Sequence, residues 1–137
     1  MKKLLLALLI LSLIVTGPAL AAKKKIVLGK IPYTLENSYH QSIVMMFEDY
    51  AMKMYGASSI IVDGEANSAS SLSAVENLSA QKVDGIALHS PDMGMTATAV
   101  EAAHKAGIPI VTTLIYPKIK VAPHIQPKEE FSSFRMG

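Results

Sequence analysis

Three times along the chain a short apolar run gives way to a polar turn and then to a stretch with helical spacing, and a fourth apolar run closes the series. Residues 25–31, Lys-Ile-Val-Leu-Gly-Lys-Ile, have the β-branched, mostly apolar character of a strand buried on both faces. After the polar turn Pro32-Tyr-Thr-Leu-Glu-Asn-Ser38, the residues Ile43, Met46, Phe47, Tyr50, Ala51 and Met54 predict the buried stripe of an amphipathic helix, which Gly56 ends in a left-handed cap. A second strand is predicted over 58–63 and a second helix over about 69–80, with Leu72, Val75 and Leu78 or Ser79 inward and serines able to cap its start. The third strand is read at 85–89. The third helix, about 96–106, is built on Ala99, Ala102, Ala103 and Ala106, so that it can lie close against a sheet, and Gly107 ends it. Residues 108–114 form the fourth strand, with Pro109 tolerable only near its start. The order β-α-β-α-β-α-β calls for an α/β fold with a parallel sheet and right-handed crossovers.

The two ends depart from this pattern. Lys2 and Lys3 precede an apolar run, residues 4–15, broken only by Ser12, and Gly17-Pro18 leads into Ala19-Leu-Ala21, a small-x-small cleavage site. Residues 1–21 are therefore expected to be a cleavable signal peptide that exports the chain to a periplasm; the apolar run is shorter than a spanning helix needs. Beyond Leu114, Pro117, Pro123 and Pro127 punctuate an irregular stretch in which residues 121–125 suit a short extended crossing, and residues 129–136 read as the opening of a helix with acids in its first turn. The division expected is 1–21 signal peptide, 22–117 the α/β unit, and 118–137 an irregular stretch that is cut short.

A chain of 137 residues suggests one domain, large enough to bury a core. It has no cysteine, so disulfides, a thiolate metal site and a lipid-anchoring cysteine are all excluded. Without Lys2 and Lys3 the 13 Lys and Arg fall to 11, equal to the 11 Asp and Glu, which leaves no electrostatic reason to expect nucleic acid.

Catalysis finds little support. There is no Gly-x-Ser-x-Gly elbow, no phosphate loop and no glycine-rich dinucleotide fingerprint, and His40, His89, His104 and His124 lack metal-ligand spacing. His40 with Ser90 is the one candidate pair of base and nucleophile. A phosphorylated receiver domain would need an aspartate where the third strand ends in His89-Ser90. No cofactor is expected, and binding remains. In such a sheet the first and third strands lie side by side at a switch point, and the turns after them form one crevice. Asn37, Tyr39 and His40 come from one side, and Ser90, Asp92 and His89 from the other. An aromatic face with amide, hydroxyl and carboxylate groups suits a small polyhydroxylated ligand. Each residue also has a purely structural reading: Tyr39 packing at a helix start, Asp92 as a helix cap, Asn37 in an Asx-turn.

From Lys25 to Leu114 the chain resembles the first lobe of the ribose- and galactose-binding-like periplasmic sugar-binding proteins. The resemblance lies in the opening strand, in Asn37-Ser-Tyr-His40 where many members have Asn-Pro-Phe-Phe, in Gln81-Lys-Val-Asp-Gly-Ile-Ala-Leu88 leading to Ser90-Pro91 where they have Asn-Pro, and in Ala106-Gly-Ile-Pro-Ile-Val-Thr112. His124-Ile125, followed by Phe131 and Phe134-Arg-Met-Gly137, is similar to the family's crossing into its second lobe. The resemblance implies a three-layer Rossmann-like parallel sheet with helices on both faces, one lobe of a two-lobed fold. It implies no enzyme but a receptor that delivers a sugar-like solute to the membrane permease of an ABC importer; the alternative is a periplasmic sensing module that presents its bound state to a membrane receptor. Asn37, Tyr39, His40 and Ser90 would face the ligand. Where ribose-binding members place an Asp-Arg pair after the fourth strand, this chain has Leu114-Ile115, so a polyol or another small polar solute stands beside a sugar. A single lobe has half a cleft, which predicts weak binding, and its uncovered apolar surface predicts self-association.

Overall fold

In a computed structural model, the described residues are 24–89, 92–113 and 122–125. The proposed signal peptide, Ser90 and the stretch from 126 onward lie outside them. The elements run β1 (Val27–Ile31), α1 (Ser38–Tyr55), β2 (Ser58–Ile61), α2 (Ser68–Ala80), β3 (Gly85–Leu88), α3 (Met93–Lys105), β4 (Ile110–Thr113) and β5 (His124–Ile125). All pairings are parallel and the strand order is β2-β1-β3-β4-β5. The predicted alternation and the adjacency of the first and third strands are both present, and β5 falls within the extended crossing read at 121–125.

Side chains of a strand alternate between faces, so one register assigns both layers. Gly29 and Ile31 of β1, Ile86 and Leu88 of β3 and Ile110 of β4 point to the side of α2 and α3; a Cβ on Gly29 would stand 2.7 Å from Leu78 Cδ1 of α2. There they pack with Val75, Leu78, Ala99, Val100 and Ala103 in a continuous core. Ile31, Leu78 and Leu88 are fully buried, and each such side chain contributes about 1.5–3 kcal/mol relative to exposure. The alternate residues Leu28, Ala87 and Val111 look to the other side, where Phe47 of α1 meets them across a groove of about 430 Å³.

The helix boundaries follow from their caps. The Asn67 side chain accepts from the Ala69 and Ser70 amides, so an asparagine rather than a serine starts α2. Asp92 Oδ1 accepts from the Met95 amide at 2.7 Å, which starts α3 three residues before the predicted Thr96. Gly56 takes φ 62°, the predicted left-handed cap, and its amide donates back to the last turn of α1. At the opposite end of the sheet, Asp84 accepts from the Val27 amide at 2.9 Å and from Lys24 Nζ at 2.5 Å, tying the start of β1 to that of β3.

The stripe predicted for α1 is only half correct. Val44 and Ala51 are buried and Ile43 and Phe47 half-buried, whereas Met46, Tyr50 and Met54 are 66%, 58% and 60% exposed. The helix rests on β2 and reaches over only one margin of the sheet, so its contact line is Val44, Phe47 and Ala51. The flank carrying the other three residues is not covered by any described element.

Candidate functional site

The connection after β1 turns toward β2, and the connection after β3 turns toward β4; between them the carboxyl ends of β1 and β3 open into the crevice that such a switch point creates. Its walls are built by local capping. The Asn37 side-chain oxygen accepts from the Tyr39 amide at 2.8 Å, while the Asn37 carbonyl accepts from the Gln41 amide at 3.1 Å. This cap fixes the first turn of α1, and with it Tyr39 and His40, over the carboxyl end of β1. On the other wall the His89 amide donates to the Ile31 carbonyl at 2.9 Å, extending the β1–β3 ladder by one residue and holding His89 at the rim.

Four rings gather there. His40 and His89 meet with centroids 5.0 Å apart and planes at 62°, and Tyr33 stands 5.6 Å from His40 and 5.8 Å from His89. Tyr39 completes the group at 5.2 Å from His40, edge to face and 55% exposed, so it is not a packing residue of the helix start. The turn that presents Tyr33 is itself locked: the Gly64 amide donates to the Pro32 carbonyl at 3.1 Å and the Ala66 amide to the Tyr33 carbonyl at 2.7 Å. A Cβ at position 64 would lie 2.5 Å from the Pro32 oxygen, so only glycine permits this approach.

The electrostatics favour neutral imidazole. Burial, reinforced by the neighbouring His40 and Lys30, pushes the His89 pKa down to about 4. Lys30, at the penultimate position of β1, is 4% exposed and burial lowers its pKa to about 8. Neutral imidazole offers one donor and one acceptor, the pairing that sugar hydroxyls can answer.

Of the residues singled out in the sequence, Tyr39, His40 and His89 are brought together. Asn37 lies directly beneath Tyr39 as the N-cap of α1; its oxygen is engaged, and its amide nitrogen makes no hydrogen bond among the described residues. Asp92 is the N-cap of α3, the structural role weighed for it. Ser90 lies outside the described residues. Tyr33 and Lys30 were not singled out. A charged residue inside an otherwise apolar strand was the available signal for Lys30, and the position of Tyr33 one residue past the strand's end was that for the ring. The apolar groove beside Phe47 is a separate feature, lined by Gly85, Pro109 and His104 at the amino ends of β3 and β4, away from the rings.

Comparison with known proteins agrees with this architecture. The ribose import binding protein RbsB of Bacillus subtilis (strain 168) is 37% identical over 90 residues, which are 66% of this chain and 29% of that protein. A periplasmic solute binding protein of an ABC transporter from Actinobacillus succinogenes 130z, solved with bound D-allose, superposes with a TM-score of 0.63 at 30% identity, covering 70% of this chain and 34% of that one. The Caulobacter myo-inositol binding protein, solved with myo-inositol, shares the fold with a TM-score of 0.66 at 18% identity over 80% of this chain and 37% of its own. The chain thus spans about a third of the length of the relatives it matches. The family model described as periplasmic binding protein domain matches residues 28–130, most of the sequence, and the chain belongs to that family.

Proposed function

We propose that this chain is the N-terminal lobe of an exported solute-binding protein that captures a sugar or sugar-like small polar solute in the periplasm for an ABC importer. The observation that carries the reading is the ring cluster of Tyr33, Tyr39, His40 and His89 at the β1–β3 switch point. Aromatic faces cover the C–H surface of a polyhydroxylated ring, while imidazole nitrogens, the Asn37 amide and Ser90 replace the hydrogen bonds its hydroxyls made with water. The relatives named above support the same class of solute, since one is a ribose import binding protein and two were solved with D-allose and myo-inositol.

In this reading residues 1–21 are removed on export, 22–117 form the lobe, and 118–137 lead into a second lobe that closes over the solute. The lobe alone contributes one wall, so its affinity is low. The apolar groove beside Phe47 and the flank of α1, which no described element covers, favour self-association of the single lobe.

Calorimetry with a panel of pentoses, hexoses and polyols tests the proposal. The reading expects heat of binding from the exported two-lobed protein, in which a second lobe follows these residues, with at least one of them, and little or none from residues 22–137 alone. Tight binding by residues 22–137 would contradict the two-walled site; no binding of any panel member by the exported protein would contradict the function.

A further inference from the structure

Lys30 is a cation in the wrong place for a merely structural residue. It sits in the inner strand β1, opposite Ile61 on one side and Ala87 on the other, with 4% of its surface exposed. Burying an ammonium without a counter-charge is costly, and an apolar residue would fill the same space without that cost. Among the described residues nothing pairs with it: the ion pairs are Lys24 with Asp84 and Lys53 with Asp49. Other carboxylates near the crevice are already employed, Asp63 by the Leu35 and Glu65 amides and Asp92 by the Met95 amide.

Lys30 projects from the face opposite Gly29 and Ile31, the face on which Phe47 of α1 lies. The polar atoms sealed from solvent without a partner are the hydroxyls of Ser59, Ser71 and Ser79. The Lys30 ammonium is not among them. Ala87 stands opposite Lys30 and His89 follows two residues on, on the same face of the sheet, so Lys30 and His89 are diagonal neighbours across the β1–β3 pair. Lys30 from β1, His40 from α1 and His89 from the end of β3 thus converge on one wall beside Tyr33.

Building on the solute-binding reading, we propose that the solute carries an anionic group, a carboxylate or a phosphate on a polyhydroxylated frame, which the Lys30 ammonium holds together with His40 and His89. The anion supplies the counter-charge that the strand lacks, and the tyrosines cover the frame. Lysine offers donors only, so it suits an acceptor-rich anionic group better than a neutral hydroxyl. The groups acting on His89 are His40 from α1 and Lys30 from β1, with the Tyr33 ring against it, and a bound anion favours the protonated form of both imidazole and ammonium. Affinity therefore falls as pH rises through about 8, where Lys30 loses its proton.

The test titrates the exported protein with D-ribonate, D-ribose 5-phosphate and D-ribose by calorimetry at pH 7, with wild type and Lys30→Met. The expected result is that one anionic probe binds roughly tenfold or more tighter than ribose, a difference of about 1.4 kcal/mol. The probe that does so identifies the anion as carboxylate or phosphate. Lys30→Met removes that preference while the thermal midpoint holds or rises, because an unpaired buried charge has been taken away. Ribose binding as tightly as both anions overturns the inference and leaves the solute-binding reading standing. A variant that loses thermal stability yet keeps the anion preference also overturns it, since Lys30 would then serve an internal partner. No binding of any solute, neutral or anionic, removes both.

Discussion

The imidazoles of His40 and His89 meet edge to face with centroids 5.0 Å apart, one on the first turn of α1 and the other just past β3. They meet because β3 pairs with β1 directly, Ile31 opposite Leu88, so the chain segments leaving the two strands share a rim. Burial, reinforced by His40 and Lys30, makes His89 an acid-sensitive point of the fold. Its pKa is about 4 in the folded chain against an ordinary 6.5, so the unfolded state binds more protons between those values. Stability is unaffected by this group above about pH 6.5 and is lost as the pH falls from there toward 4. Thermal midpoints measured at pH 7 and pH 4.5 should therefore differ less in His89→Leu than in wild type; an unchanged difference would remove His89 from the acid response.

Asn37 has two separable groups, an oxygen that caps α1 and an amide nitrogen that the solute-binding reading assigns to the ligand. Asn37→Ala is expected to cost about 1 kcal/mol of stability, the usual value of an N-cap. Asn37→Asp keeps the cap and should hold that stability, while replacing the amide donor by an acceptor and weakening solute binding. Chemical denaturation and calorimetry on the two variants separate the effects. Equal stability of Asn37→Ala and wild type would show that the cap does not hold the helix start.

Gly64 controls where Tyr33 stands. An added Cβ would meet the backbone oxygens of Pro32 at 2.5 Å and Tyr33 at 3.0 Å, and backbone cannot yield as a side-chain tip can. Gly64→Ala should destabilise by about 1–3 kcal/mol, the range for forced overpacking, and displace the Tyr33 ring. At Gly85 a Cβ would meet its nearest neighbours at 3.6 and 3.7 Å, so Gly85→Ala is the tolerated control. Denaturation midpoints of the two variants check the contrast.

The exposed flank of α1 predicts association of the single lobe. Met46, Tyr50 and Met54 are each more than half exposed, next to the groove that Phe47 lines. Sedimentation of residues 22–137 should show concentration-dependent dimers or larger species, and Met46→Lys with Met54→Lys should shift the population toward monomer with little change in stability. A wild-type lobe that stays monomeric at high concentration would exclude this surface as a site of association.

The strand order and crossovers were legible because each apolar run was bounded by a turn and followed by helical spacing, which leaves a parallel sheet few arrangements. The α1 stripe was misread for a tertiary reason: the apolar residues occupy more of the helix than one contact line, and the flank that is covered depends on where the helix sits over β2. The start of α3 was placed late because Gly94 hides helical character in the first turn, while the Asp92 cap that decides the boundary is a single side chain. At the site, Tyr39 and His40 could be read from the turn after the first strand and His89 from the end of the third. Lys30 could not be placed by periodicity, since a buried lysine and an exposed one occupy the same position in an apolar run. Only the pairing of β1 between β2 and β3 makes it an enclosed charge.

The central claim is that a small polyhydroxylated solute binds where β1 and β3 part. The direct measurement is a residue-resolved NMR titration of the exported protein with pentoses, hexoses and their aldonates. The account predicts that the largest shifts fall on Tyr33, Asn37, Tyr39, His40 and His89. Shifts centred instead on the groove of Phe47 and His104, or no shift with any of these solutes, would contradict it.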